Sequence, residues 1–212
     1  MAGKNIYKVG SYGDANFPDL VSIPSDILIQ GDTSIFVYPG TYTALSNVRL
    51  DDAAFIGVGD REEIVISGTM TIANTSANSA IFENLTFTGA NAVAASGSAC
   101  VIKLGAASMP LTFNRVVFNN SDFAVVHNAE RAFATTTRQV NINYSDLSAV
   151  DRAVSANANV GINFSSLNTS ANAFFTPGTG GGNPAVTVTV RASTSGGSNT
   201  GNCTKTVLAL VS

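Results

Sequence analysis

The stretch Ala80–Phe87, Ala-Ile-Phe-Glu-Asn-Leu-Thr-Phe, decides how the chain is read, because its spacing of apolar residues returns along the sequence. Counted from Ala80, small or apolar side chains fall at offsets 0, 2, 5 and 7: Ala80, Phe82, Leu85 and Phe87. The same offsets collect Leu111, Phe113, Val116 and Phe118, then Val140, Ile142, Ser145 and Leu147, then Val160, Ile162, Ser165 and Leu167. Upstream they collect Val48, Leu50, Ala53 and Phe55 and, less cleanly, Ile64, Ile66, Thr69 and Thr71.

A spacing of two is the strand period, so each half of the unit turns its apolar residues to one side. The step of three between offsets 2 and 5 breaks that period and places two residues at a bend. The pairs are Asp51-Asp52, Ser67-Gly68, Glu83-Asn84, Asn114-Arg115, Asn143-Tyr144 and Asn163-Phe164. Each contains Asn, Asp or Gly, the residues that best tolerate a left-handed backbone. Short strands meeting at such corners, all facing one interior, predict an all-β solenoid, a parallel β-helix whose single coil cannot bury its own apolar face. The starts at 48, 64, 80, 111, 140 and 160 are 16 to 31 residues apart. A coil of this kind needs roughly 20 residues, and the longer intervals leave room for loops. The rival is an antiparallel β-sandwich with Ser/Asn-rich turns, which has no reason to repeat its corner in phase.

The 212 residues suit one domain with a sizeable core. Charged residues make up 12% against a usual figure of about 25%. A surface of Ser, Thr, Asn and Ala with so little charge is poorly defended against association, and hints at cover by other subunits. The net charge of -3 and the scattered basic residues argue against a nucleic-acid partner. No apolar run approaches the ~20 residues that span a bilayer, so no membrane partner is expected. The start, Met1-Ala2-Gly3-Lys4, lacks a signal-peptide pattern, and synthesis in a cytoplasm is expected. In that compartment a disulfide between Cys100 and Cys203 is not expected.

Along the chain, residues 1–16 are polar and predict an arm. Residues 17–172 predict the β-helix, opened by a short capping helix within Phe17–Ile29 that Pro24 should break or offset. Residues 173–184, with Gly180-Gly181-Gly182, predict a flexible joint, and 185–212 predict a C-terminal β-hairpin.

Ser34–Tyr42, then Val48-Arg49-Leu50, Phe55-Ile56-Gly57-Val58-Gly59 and Ile64-Val65-Ile66-Ser67-Gly68, resemble the N-terminal coils of the pectin-lyase-like superfamily. Glu83-Asn84-Leu85-Thr86-Phe87 is also similar to a run those proteins carry, and the corner Asn residues resemble their asparagine ladder. The resemblance covers roughly residues 17–170 and implies a right-handed, single-stranded β-helix. It carries no activity by itself, since that fold hosts enzymes, adhesins and virus structural proteins.

The catalytic motifs of such enzymes do not match here. The two glutamines, Gln30 and Gln139, lie outside any methylesterase-like setting. Asp51-Asp52 is the only adjacent acidic pair within the repeat and falls on a corner, and no Gly-His-Gly run follows. Asp60, Glu62 and Glu63 cluster in one loop beside Arg61, as a solvated turn would. His127 is the only histidine and cannot make a zinc site alone. Glycan binding has little support from a chain with no Trp, in which Phe55, Phe82, Phe87, Phe113 and Phe118 fall on inward offsets.

The corner residues Asp51, Asp52, Gly68, Asn84, Asn114, Asn143 and Asn163 are therefore expected to be structural. No catalytic, cofactor-binding or metal-binding residue is expected, and no small-molecule substrate. The expected function is a virion structural protein, a phage capsid decoration or cement protein, forming a homotrimer or other homo-oligomer on the major capsid protein shell. The alternatives are a tail, receptor-binding or adhesin protein whose loops 88–98 and 127–138 contact a glycan, and a small polysaccharide lyase or esterase.

Overall fold

The computed structural model describes residues 5–73, 79–89, 100–104, 110–119, 123–127, 139–149, 152–156, 159–167, 173–177, 186–191, 198–199 and 203–209. Among them every strand pairing is parallel, which is not the pattern of an antiparallel sandwich. The strands form three sheets, A, B and C, which the chain visits in turn.

The chain opens in sheet A with β1 (Asn5–Val9), makes a 3-10 turn at Leu20–Ser22 and one helical turn, α1 (Ser25–Leu28), and returns to sheet A as β2 (Thr33–Val37). It passes to sheet B with β3 (Gly40–Thr43), then to β4 (Ala53–Gly57) in A, β5 (Ile64–Ser67) in B and β6 (Met70–Ile72) in C. The same A, B, C order then repeats. First come β7 (Ala80–Glu83), β8 (Thr86–Thr88) and β9 (Cys100–Leu104), then β10 (Leu111–Asn114), β11 (Val117–Asn119) and β12 (Phe123–His127). Next are β13 (Gln139–Asn143), β14 (Asp146–Leu147) and β15 (Arg152–Ala156), then β16 (Asn159–Asn163), β17 (Ser166–Leu167) and β18 (Ala173–Pro177). Last are β19 (Val186–Arg191) in A, β20 (Ser198–Asn199) in C and β21 (Cys203–Ala209) in A.

Register aligns the inward residues into ladders. Phe55 pairs with Phe82, Phe82 with Phe113, Phe113 with Ile142 and Ile142 with Ile162. All five are fully buried. Phe82 stacks on Phe55 and on Phe113, each at 5.3 Å, while Phe87 stacks on Phe118 at 5.9 Å across the interior. Edge-to-face contacts of Phe82 with Phe87 and Phe113 with Phe118 join the two columns.

Three expectations need correction. The polar arm of 1–16 contains β1, paired with β2, because Tyr7 and Val9 alternate into register with Ile35 and Val37. The capping segment is split at Pro24, as its sequence leads one to expect, into the 3-10 turn and α1, with Leu20, Ile23 and Leu28 buried. The C-terminal hairpin is not one, since β19 and β21 are parallel and the chain passes through β20 of sheet C between them. Alternating Val and Thr suit a strand with a neighbour of either direction, so composition alone could not tell the two apart. The joint of 173–184 begins with a strand, β18 against β15, and its glycines lie outside the described residues.

The two upstream repeats were also out of phase. Ala53 pairs with Ala80 and Ile66 with Phe87, so 53–67 lies within one A, B, C passage that β6 completes, rather than at the ends of two. Its corner is lengthened by residues 58–63, which carry a 3-10 turn at Arg61–Glu63. Cys100 and Cys203 begin strands of different sheets, several rungs apart. No helix among the described residues is long and apolar enough to cross a membrane.

Candidate functional site

The corner from sheet A to sheet B follows from the step of three residues. The last residue of the A strand still points outward, the next takes a left-handed backbone, and the third turns inward. The left-handed positions are Asn84 (φ 56), Arg115 (φ 56), Tyr144 (φ 51) and Phe164 (φ 51). Their amides repeat one hydrogen bond, Asn84 N to Asn114 O at 2.9 Å, Arg115 N to Asn143 O at 2.9 Å and Tyr144 N to Asn163 O at 3.0 Å. The third position holds Leu85, Val116, Ser145 and Ser165, all buried. The Ser145 hydroxyl accepts from Val116 N at 3.0 Å and donates to Asn143 O at 2.8 Å, so its polar atom is satisfied inside the wall.

The seven predicted corner residues occupy three different corners. Asn114, Asn143 and Asn163 form a side-chain ladder, Asn143 Nδ2 donating to Asn114 Oδ1 at 2.9 Å and Asn163 Nδ2 to Asn143 Oδ1 at 2.8 Å. Asn84 stands one position further on, in the left-handed slot itself, and its Nδ2 donates to Gly57 O at 3.1 Å and Gly59 O at 2.9 Å. Asp52 (φ 44) turns the chain into β4, its Oδ1 accepting from Ser79 N at 3.1 Å and Ser79 Oγ at 2.9 Å. Asp51 precedes it there and donates its amide to Leu28 O at 3.0 Å. Gly68 (φ 100) serves the corner from B to C.

The bend is expected on the Asn, Asp or Gly of each pair, and Asp52, Gly68 and Asn84 do take the left-handed backbone. In three pairs the left-handed residue is instead the Arg, Tyr or Phe, and Asn is its neighbour. Tyr144 and Phe164 are 61% and 51% exposed, with rings stacked at 5.2 Å and 8° from parallel. The signal was present in the outward aromatic after Asn143 and Asn163, at a position where an inward side chain has no place.

Beside this column the 58–63 loop raises a wall. Asn84 ties it down through Gly57 and Gly59, and Thr86 Oγ1 donates to Arg61 O at 2.8 Å. Asp60 Oδ1 accepts from Glu62 N at 3.3 Å, and Arg61 Nε donates to Glu62 Oε1 at 3.0 Å. Hydrogen bonding with Asp60 first, and with Arg61 second, holds the Glu62 carboxyl below its ordinary value. Wall and column enclose an open groove of about 780 Å³, lined by Gly59, Asp60, Arg61, Glu62, Asn84, Arg115 and Tyr144. Among the described residues no cluster of His, Cys, Asp and Glu suits a metal ion. The side chain of His127 lies outside the described residues, as do 90–98 and 128–138 of the two loops expected to meet a glycan.

No protein-family model matches this chain, and no curated protein or solved structure matches it.

Proposed function

We propose that the chain is a right-handed, single-stranded parallel β-helix of the pectin-lyase-like kind that serves as a virion structural protein. In this role it is a phage capsid decoration or cement protein, assembling as a homotrimer on the major capsid protein. The observation that carries the assembly role is the outer face of sheet A. Ile6 pairs with Ser34, Ser34 with Ala54 and Ala54 with Ile81, and beside them Phe36 pairs with Ile56. Ile6 is 58% exposed, Ile81 is exposed, and Phe36, Ala54 and Ile56 are half-buried. Parallel sheets are usually covered on both faces, and an apolar stripe on one of them, with Lys8 beside Phe36 and Glu83 beside Ile56 at its ends and Ser34 already buried within it, favours cover by another subunit. A second copy of this chain suits it, because an apolar stripe bounded by one basic and one acidic residue, Lys8 and Glu83, is matched by a surface like itself.

Sedimentation of the purified protein, and of I56K/I81K, tests this. Trimers that bind empty capsids and are lost in the double variant are expected. A wild-type monomer that cosediments with no particle overturns the proposal.

Contact with a glycan, as in a tail or adhesin protein, is a second function that one observation favours: the solvent-facing stack of Tyr144 and Phe164 beside a polar groove.

A further inference from the structure

We infer that the groove between the 58–63 loop and the column Asn84, Arg115, Tyr144 is a subsite for a neutral, hexose-containing oligosaccharide. Tyr144 supplies the stacking face, and Arg115, Asp60 and Glu62 supply the hydroxyl ligands. This rests on the glycan-contacting function and adds to it the place and the chemical class.

Three independent observations converge here. The first is backbone strain. A left-handed conformation strains Arg, Tyr or Phe, whereas Asn adopts it cheaply, as Asn84 does in the same column. Keeping large side chains at these positions gains nothing in the core, because all three are exposed. Held strain of this kind gathers where a side chain must be presented outward. The second is the aromatic pair. Phe164 covers one face of Tyr144 and fixes its ring, while Tyr144 also borders the groove. A fixed flat ring meets the C–H face of a pyranose without loss of side-chain freedom.

The third is the charge of the groove. Asp60 and Glu62 set against Arg61 and Arg115 give no net charge, with carboxylates and guanidinium groups presented together. An acidic sugar would meet the two carboxylates, and a cationic ligand the two arginines. A neutral polyol uses both, donating hydroxyls to Asp60 and Glu62 and accepting from Arg115. The wall is fixed before any ligand arrives, through Asn84 to Gly57 and Gly59 and through Thr86 to Arg61. Such preorganisation lowers the entropy lost on binding.

The test is titration calorimetry of the full chain with neutral hexose oligomers and with uronate oligomers, drawn from a glycan array. It is repeated on Tyr144→Asn, which keeps a residue suited to the left-handed slot, and on Arg115→Asn. Binding of a neutral oligomer is expected, weakened about tenfold or more by Tyr144→Asn while the thermal midpoint is unchanged or raised. Full-strength binding by both variants would remove the site and leave the glycan-contacting function standing. Binding of uronates alone would overturn the neutral class. No binding of any glycan by wild type would take both away.

Discussion

The ring of Phe82 lies 5.3 Å from that of Phe113 and 11° from parallel to it, and the two residues are paired neighbours in sheet A. Phe82 also contacts Phe55 on its other side and Phe87 across the interior, so its removal opens a void that three rings border. Phe82→Ala is expected to cost about 3–5 kcal/mol, read from urea unfolding, with Phe82→Leu costing less. A loss under 1 kcal/mol would mean that the ladder is not packed as described.

Asn143 is both donor and acceptor in the side-chain ladder, to Asn114 and from Asn163. Asn143→Ala should cost on the order of 1–3 kcal/mol, because the amides above and below lose their partner. In N143D the new carboxyl faces Asn114 Oδ1 and can bond to it only when protonated. Its folded pKa is therefore raised, so its stabilising contribution is present below the unfolded carboxylate value and lost as pH rises through the folded one. Unfolding midpoints of N143D and wild type should converge on acidification and part towards neutral pH.

Gly57 is required by a close approach, since a Cβ there would lie 2.0 Å from the backbone oxygen of Asn84. Gly57→Ala must push β4 away from the Asn84 corner, at a cost of about 1–3 kcal/mol or more. The same shift breaks the Asn84 anchor of the 58–63 wall, so a wild-type thermal midpoint for G57A would contradict the anchoring geometry.

Tyr42 is buried and its hydroxyl donates to Tyr38 O at 2.7 Å. Burial first, then the charges of Asp19 and Tyr12, raises its pKa above the ordinary 10.0. The neutral phenol is the form the fold favours. Its contribution is thus present below the unfolded tyrosine value and lost as pH rises through the higher folded value. Alkaline loss of stability should be steeper in wild type than in Tyr42→Phe, which itself costs roughly 1 kcal/mol at neutral pH.

The frame set by Ala80, Leu111, Val140 and Val160 was legible because each unit keeps the same step of three at its corner, and register pairs those four in line. Upstream the frame slipped, since residues 58–63 lengthen one corner and the offsets 0, 2, 5 and 7 then pick up residues from two sides of the circuit. The direction of β19 and β21 could not be read from Val-Thr alternation, which is blind to the neighbour's polarity. At the groove, Asp60, Arg61 and Glu62 were visible as a charged turn. Their meeting with Arg115 and Tyr144, more than 50 residues away in sequence, depends on stacking that only register supplies.

Partners in the corner ladder stand 20 or 29 residues apart in sequence. Each storey therefore leans on the one made just before it and on nothing farther back. A nascent chain leaving the ribosome can close its early storeys before the later ones have been synthesised. The entropy of closing each loop is then met one storey at a time instead of all at once.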